Sequence, residues 1–414
     1  MTLDDLREHY RPLLERIRAG TLQRELDGEL PFEPVRWLKE AGFGALRVPE
    51  QYGGRGLTWP ELTRLWIDVA AADANLAQAF RGHFALAEDR LWQHAVGRDQ
   101  QAWFDRFVAG EIAGNAWSEV GSTAIETQRT VLTRAGERAE SGWRINGTKY
   151  YTTGSIYAEW ADVYACVRAD GQFGDQPDRF AIAIVDTRAE GVTVVDDWDG
   201  FGQKGTGSGT TTFSDVPVPA AHVLPFDERF PHQTALYQLN LLATLAGIGR
   251  AALDDTVDAV RRRERNYSHA NASRVRDDPQ VLARIGEIAA AVYAAEATTL
   301  RVAEAMEAVA GSAGAEASVT ARLNEAVEVE SSIAQVVVTD LVLRATSDLF
   351  DTLGASATSR AAGLDRHWRN ARTVSSHNPR ILKARVVGDY LTNGTPPPYA
   401  WAIGTTARRE PAAH

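Results

Sequence analysis

Histidines and hydroxyl-bearing side chains, the residue types most useful for proton transfer and hydrogen bonding, gather in a few short stretches of this 414-residue sequence. The segment Leu364–Gly394 carries His367 and His377. Histidine is the side chain whose charge changes closest to neutral pH. The segment is either an amphipathic helix with a satisfied core histidine or one wall of an active site, and its residues alone leave both interpretations open.

A second stretch, Tyr150–Ser155, places two aromatic rings directly before Thr152, Thr153 and Ser155. Asn146-Gly147 precedes it and predicts a hairpin-type turn, so the hydroxyls fall near one end of a strand. Such residues can decorate an exposed strand. They can equally stack on a flat polar heterocycle and donate hydrogen bonds along its edge.

Two further features have a structural and a functional interpretation. His83 stands in a helical pattern of small and apolar residues, which is more typical of a packed core histidine than of a catalytic one. The basic run Arg261–Arg265 is either a solvated helix end favoured by the helix dipole or a clamp for an anion.

Composition limits the class of protein. Apolar residues make up 44% of the chain and charged residues 24%, as in ordinary globular proteins, and a chain of this length divides into two or three domains. The net charge is −11 and no basic stripe is present, which excludes nucleic acid as an expected partner.

Cysteine count and hydropathy predict a cytoplasmic protein. Cys166 is the only cysteine, so an intrachain disulfide and a cysteine-rich metal site are excluded, and no metal is expected. The N-terminus is charged and lacks the apolar core of a signal peptide. No apolar run is long enough to span a membrane, so no membrane partner is expected.

Periodicity predicts an α+β protein of three domains. Residues 1–112 repeat apolar side chains at helical spacing, residues 113–225 read as a β domain, and residues 226–414 return to helical spacing and predict a bundle with Leu364–Gly394 as its fourth helix. The predicted strands are Val131–Thr133, Trp143–Ile145, Val163–Arg168, Phe180–Val185, Val192–Val195 and Thr210–Phe213.

Several motifs, in this order along the chain, resemble those of the acyl-CoA dehydrogenase superfamily. They are Val48–Gly54, Trp117–Ser122, Asn146–Ser155, Gly200–Gly205 with Ser208–Thr210, and Val216–Pro219. The resemblance implies an N-terminal helical domain, a middle β-barrel or sandwich, a C-terminal four-helix bundle and a homotetramer. It also implies a flavin held between the β domain and the bundle.

A dehydrogenase of this superfamily needs a glutamate as its base, and the two positions where the family carries it lack one. They correspond here to Leu391–Thr395 and Tyr237–Leu241. Leu364–Thr373 followed by His377 is instead similar to the signature of the flavin-dependent monooxygenase branch typified by dibenzothiophene monooxygenase and related organosulfur monooxygenases.

That resemblance implies a two-component enzyme. Reduced FMN, in preference to FAD, would come from a separate NAD(P)H:flavin reductase and react with O2 through a C4a-hydroperoxyflavin to oxygenate a small organic substrate, foremost an organosulfur compound. The sequence agrees in one respect, because Gly200–Gly209 lies between strands and no Gly-rich βαβ unit for NAD(P)H is present.

The resemblance also assigns residues. The implied donors to the oxygenating group are His83, Asn115, Ser155 and His377. The implied cofactor-binding residues are Trp117, Ser118, Tyr151, Thr152, Thr153, Trp198, Ser208 and Arg265.

The chain departs from the signature at two positions and leaves alternatives open. Val374 stands where the branch has a second histidine, and Ser356 stands where it has an arginine associated with the flavin phosphate, so more of the phosphate contact falls to Arg265. The alternatives are an acyl-CoA dehydrogenase with a displaced base, an N-oxygenase of an amine, and a non-catalytic scaffold that has lost the flavin.

Overall fold

A computed structural model of the chain describes residues 2–119, 129–136, 142–168 and 179–398. Residues 120–122 of the Trp117–Ser122 motif lie outside the described residues. In the described residues, two helical regions enclose a middle region of strands, in the order that the sequence predicts. None of the helices in these residues is long and apolar enough to cross a membrane.

The N-terminal region is helical. Its helices are α1 (Leu3–Asp27), α2 (Phe32–Glu40), α3 (Trp59–Ala72), α4 (Ala74–Ala79), α5 (Arg81–Ala95) and α6 (Gln101–Val108). Thr58 begins α3 with a capping box, in which its hydroxyl accepts from the Glu61 backbone N–H and the Glu61 carboxylate accepts from the Thr58 N–H. Most side chains of α5 are buried, so this helix passes through the interior.

The middle region is one curled sheet. Its strands are β1 (Ala113–Ala116), β2 (Val131–Arg134), β3 (Trp143–Lys149), β4 (Trp160–Val167), β5 (Arg179–Asp186), β6 (Val192–Val195), β7 (Thr210–Val218) and β8 (Val223–Pro225). The order is β6-β7-β3-β2-β4-β5-β8, and β1 runs parallel to β4 beside that path. All six predicted strands are confirmed, and most of them are longer than predicted. The strands β1 and β8 were not predicted from the sequence.

The C-terminal region consists of long helices. They are α7 (Gln233–Arg262), α8 (Pro279–Ala310), α9 (Ala317–Asp348), α10 (Asp365–Ser376) and α11 (Lys383–Asn393). The prediction of a single fourth helix over Leu364–Gly394 is wrong, because the segment breaks after Ser376. Pro379 has no backbone N–H and disfavours helical backbone at Asn378, so His377 is left at the end of α10.

One apolar core joins the two helical regions. Trp59 and Trp66 of α3, Leu242 of α7, Val338 of α9 and Val374 of α10 belong to the same buried cluster. The helices on both sides of this core therefore have fixed positions relative to one another.

The sheet is fixed to the bundle by the loop before β7. The Gln203 N–H donates to Asn370 Oδ1 at 2.6 Å, and Arg369 Nη1 donates to the Phe201 carbonyl at 2.9 Å. A Cβ on Gly202 would lie 2.3 Å from the Arg369 carbonyl oxygen, so only glycine permits this approach. These contacts place α10, and with it His377, against the middle region.

Candidate functional site

The end of α10 meets the beginning of α5 through two side chains. Arg81 Nη1 lies 2.8 Å from His377 Nε2. Arg81 is 2% exposed, and burial lowers its pKa to about 10. His377 is exposed, so the pair lies where the buried beginning of α5 meets the protein surface. We call the region around these two residues the cleft.

The contact with Arg81 fixes the protonation of His377. A guanidinium can only donate, so Nε2 of His377 accepts and the ring proton lies on Nδ1. Burial, reinforced by the Arg81 charge, holds the pKa of His377 well below its usual range. At neutral pH His377 is thus uncharged and carries its proton on Nδ1, where hydrogen bonds to the Asn378 side chain and to its own backbone act in the opposite direction and favour the charged form. An uncharged ring with one N–H fits the predicted role as a donor.

Asn115 and Ser155 lie beside the beginning of α5 because two glycines permit close approach. A Cβ on Gly82 would lie 2.7 Å from the Asn115 nitrogen, and a Cβ on Gly114 would lie 2.4 Å from Ser155 Oγ. The Asn115 N–H donates to the Thr153 carbonyl at 3.1 Å. Within the described residues, Asn115 Oδ1 and Ser155 Oγ are buried without a hydrogen-bond partner, so both can receive a ligand.

An aromatic wall adjoins these residues. Trp117 stacks on Tyr164 with ring centroids 5.2 Å apart, and Tyr237 meets Trp117 edge-on at 6.3 Å. The Arg81 guanidinium lies 5.1 Å from the centre of the Tyr237 ring, so the wall is continuous with the Arg81–His377 pair. Nε1 of Trp117 is buried and has no hydrogen-bond acceptor among the described residues.

A row of hydroxyls begins at Thr153. Thr206 Oγ1 donates to the Gln203 carbonyl at 2.8 Å, so it must accept from Ser208 at 2.7 Å, and Ser208 in turn accepts from Thr153 at 2.8 Å. This direction leaves Thr153 Oγ1 with its lone pairs available as an acceptor. Ser208 and Thr153, which are both predicted to bind the cofactor, are therefore hydrogen-bonded to each other.

The other predicted cofactor residues around this stretch have local partners. The Thr152 hydroxyl donates to the Gly209 carbonyl at 2.8 Å, and the Ser118 carbonyl accepts from the Tyr150 N–H at 2.9 Å. Tyr151 has a positive φ of 58° and is half exposed, with its ring 5.8 Å from that of Trp198. Tyr151 and Trp198 therefore form an exposed edge beside the hydroxyl row.

His83 lies close to this group, but the backbone occupies both of its ring nitrogens. Nε2 lies 2.7 Å from the Gly44 carbonyl and donates to it, and Nδ1 accepts from the Ala113 N–H at 3.3 Å. His83 is fully buried, and burial lowers its pKa to about 4. In this structure His83 has no free donor for an oxygenating group, and its bonds secure α5 to the strand that carries Asn115.

Two other predicted residues lie away from the cleft. His367 hydrogen-bonds to Asp255 at 2.9 Å inside the bundle. Arg265 is exposed beyond the end of α7, and Tyr237 is separated from Arg262, the last residue of that helix, by roughly 38 Å at 1.5 Å per residue. Within one chain Arg265 is therefore not brought to the cleft, since this length far exceeds that of a flavin mononucleotide.

Sequence reasoning assigned no role to two residues that the structure places here. Arg81 is the first, and the available signal was a charged residue within an otherwise small and apolar helical stretch. Gln203 is the second: it is 3% exposed, has a φ of 54°, and neither atom of its side-chain amide has a partner among the described residues. A glutamine at such a φ was recognisable only in the folded chain.

The polar atoms without partners match the needs of a flavin ring. A flat polar heterocycle requires an aromatic neighbour, donors and acceptors along its edge, and exclusion of water. Trp117 Nε1, Asn115 Oδ1, Ser155 Oγ and Thr153 Oγ1 are such groups. Their chemistry fits the ring of a flavin, whereas Arg265 of the same chain lies beyond the far end of α7 from Tyr237 and does not fit the role of phosphate ligand.

Comparison with known proteins agrees with this architecture. Family models for the N-terminal, middle and C-terminal domains of acyl-CoA dehydrogenase match residues 3–111, 116–216 and 240–379. The chain belongs to the acyl-CoA dehydrogenase family.

Particular relatives lie in the monooxygenase branch. Dibenzothiophene monooxygenase of Rhodococcus erythropolis is 29% identical over 96% of this chain and 99% of its own length. The probable FMNH2-dependent monooxygenase SfnC of Pseudomonas putida is 26% identical over 92% of this chain and 90% of its own. The crystal structure of FMN-bound TdsC from Paenibacillus sp. A11-2 superposes with a TM-score of 0.82 at 29% identity, covering 94% of this chain and 97% of TdsC.

Proposed function

We propose that the protein is a two-component flavin-dependent monooxygenase. It takes reduced FMN from a separate NAD(P)H:flavin reductase and uses O2 to oxygenate a small organic molecule, foremost an organosulfur compound. The observation that carries the proposal is the cleft, where the uncharged His377 contacts Arg81, Asn115 lies against the same end of α5, and no carboxylate of the described residues pairs with Arg81 or His377. The relatives named above support the same chemistry.

The two dehydrogenase positions offer no base in three dimensions either. Leu391 is 71% exposed on α11, which ends at Asn393, so that segment lies at the surface. Tyr237–Leu241 lies in the second turn of α7 and contributes a phenol, two amides and two apolar side chains. Proton abstraction next to a carbonyl needs a carboxylate within hydrogen-bond reach, and these positions do not provide one.

The residues of the cleft would have different roles in binding the flavin and in oxygen transfer. Bound reduced FMN supplies the electrons with which one atom of O2 enters the substrate and the other leaves as water. Trp117 and Ser118 would hold the ring, and Thr153 with Ser208 would accept hydrogen bonds from it. His377 and the Ser155 hydroxyl would donate hydrogen bonds to the oxygen that is transferred.

The test is a reconstituted reaction with a flavin reductase, NADH and oxygen-18 gas. Sulfides, sulfoxides, sulfinates and amines serve as substrates, and product mass is the readout. We expect one labelled oxygen in a sulfur product, formed much faster than by free reduced FMN. Labelled amine products would establish the N-oxygenase instead, and no enhancement with any substrate would contradict the proposal.

One observation favours a second candidate, the acyl-CoA dehydrogenase with a displaced base. Glu328 on α9 is 2% exposed, and burial raises its pKa to about 8. Its carboxylate accepts from the Ala235 N–H near the beginning of α7, close to one dehydrogenase position. Anaerobic bleaching of the FAD-loaded protein by an acyl-CoA, lost in Glu328→Gln, would establish this function.

Assembly and location extend the proposal. We also propose a cytoplasmic location and a homotetramer. The tetramer is supported by exposed apolar side chains on the bundle, such as Tyr293 at 78% exposure and Leu282 at 51% on α8. Light scattering after gel filtration would test the assembly, and a monomer would contradict it.

A further inference from the structure

Arg81 differs from the other buried arginines of the described chain. The partly buried Arg24 and Arg47 pair with Asp73 and Glu88, and the buried Arg90 and Arg229 pair with Asp89 and Asp162. Arg81 is equally buried, yet among the described residues its only hydrogen-bond partner is the neutral His377. Its Nε is buried without any partner in the same residues.

A buried cation without a counter-ion is costly, because the interior solvates it poorly. His377 offers one lone pair and the Tyr237 ring offers its electron-rich face, but neither carries a negative charge. The beginning of α5 adds the positive end of a helix of 15 residues at the same place. Both features stabilise an anion bound in the cleft.

We propose that Arg81 binds an anionic substrate and so determines specificity, with a sulfinate as the class of substrate. The inference rests on the monooxygenase function proposed above. Arg81 contacts His377, which the proposed function places at the reacting centre, so an anionic charge held by Arg81 must lie on the reacting group itself. A sulfinate meets this condition because its charge is on the oxygens of the sulfur atom that still has a lone pair to oxidise.

The reaction balances with the co-reactants already named. A sulfinate, O2 and reduced FMN give a sulfonate, oxidised FMN and water. The sulfur lone pair forms the new sulfur–oxygen bond, the bond between the two oxygen atoms breaks, and the second oxygen leaves as water with the two hydrogens of reduced FMN. Sulfur and FMN each lose two electrons, and O2 gains four.

Paired substrates of similar size test the proposal. Methanesulfinate and dimethyl sulfoxide each carry a sulfur lone pair, and only the first is an anion. In the reconstituted reaction we expect kcat/KM for methanesulfinate to exceed that for dimethyl sulfoxide by about 100-fold. Arg81→Met should remove most of this preference, and Arg81→Lys should retain part of it. Arg36→Met, which removes an exposed arginine on α2, is the control for net charge.

Calorimetry separates the substrate from the flavin as the ligand of Arg81. The apoprotein and its variants are titrated with methanesulfinate and, separately, with FMN. We expect Arg81→Met to weaken methanesulfinate binding at least tenfold and FMN binding less than twofold. A loss confined to FMN, a preference for dimethyl sulfoxide, or equal losses for both sulfur compounds would overturn the proposal.

Failure of the monooxygenase proposal gives a different result, because oxygen-18 then enters no substrate. Methanesulfinate binding to the apoprotein does not require turnover, so it still tests the role of Arg81. Circular dichroism of both Arg81 variants verifies that each is folded, and Arg81→Lys provides a second test if Arg81→Met does not fold.

Discussion

His367 and His377 lie at the two ends of α10, and their surroundings differ in one respect. Each has an arginine beside it, Arg366 for His367 and Arg81 for His377, and burial followed by that arginine lowers the pKa of both histidines. For His367 a carboxylate is also present: Asp255 accepts a hydrogen bond from the ring and pairs with Arg366 and with Arg18. For His377 the described residues supply no carboxylate.

The difference separates a structural polar cluster from a ligand site. Around Asp255, the charges come from α1, α7 and α10 and balance one another, so the cluster fastens three helices. Although burial opposes it, the hydrogen bond from His367 and the charge of Arg366 hold the pKa of Asp255 well below its usual range. Around His377 the positive charge is uncompensated, and a bound anion would complete the set.

Removing His377 should have the largest effect on function. His377→Leu deletes the Nδ1–H donor, and we expect product formation to fall about 100- to 1000-fold while NADH consumption continues with release of hydrogen peroxide. His377→Asn keeps an acceptor for Arg81 and a donor for the cleft, so it should recover part of the activity. Product and peroxide yields are the measurements, and undiminished product from His377→Leu would contradict the assignment.

Removing Asp255 should affect stability instead. Asp255→Ala leaves His367, Arg366 and Arg18 without their carboxylate, and we expect the free energy of unfolding to fall by about 3 kcal/mol. Urea denaturation is the measurement. The neighbouring Asp254→Ala is the matched control. Asp254 is exposed and, in the part of the chain that the structure describes, pairs only with Arg18, so its loss should cost well under about 1 kcal/mol. Equal losses for the two variants would remove the distinction between the clusters.

His83 has a third kind of environment, in which backbone groups hydrogen-bond both ring nitrogens. Its burial should make the free energy of unfolding depend on pH. Its pKa is about 4 in the folded chain and about 6.5 when unfolded. As pH falls below 6.5, His83 becomes protonated in the unfolded chain but stays neutral in the folded chain. The free energy of unfolding therefore falls down to about pH 4, below which the loss levels off.

A substitution isolates that contribution. His83→Gln can donate to Gly44 and accept from Ala113 without titrating. Between pH 6.5 and 5 the wild-type chain should lose about 1.5 kcal/mol more of its free energy of unfolding than His83→Gln loses. Urea denaturation at both pH values measures it. An identical loss in both proteins would show that His83 does not titrate as its burial requires.

The smallest predicted effect concerns the hydroxyl row. Thr153→Val keeps the shape of the side chain and removes the acceptor at the end of the row, so FMN affinity should fall about fivefold, the equivalent of about 1 kcal/mol. Thr358→Val, on an exposed loop in the C-terminal region, is the control. Fluorescence titration with FMN measures both, and an unchanged affinity in Thr153→Val would place the flavin away from this row.

Residue patterns predicted the three regions because helical and strand periodicities are local properties of the chain. Val374 illustrates both the strength and the limit of such patterns: its apolar type predicts the buried position that it occupies in α10. The break after Ser376 was missed although Pro379 signals it, because the apolar pattern continues on both sides of the proline.

The sequence by itself determined the order of helices and strands, the family motifs, and the absence of a carboxylate at both dehydrogenase positions. Only the tertiary structure decided which histidine meets an arginine without a carboxylate, since His83, His367 and His377 are alike as residues and differ in the groups that other elements bring to them. The tertiary structure alone also showed that Arg81 has no carboxylate partner among the described residues. Whether a buried charge is compensated depends on contacts between residues far apart in the chain.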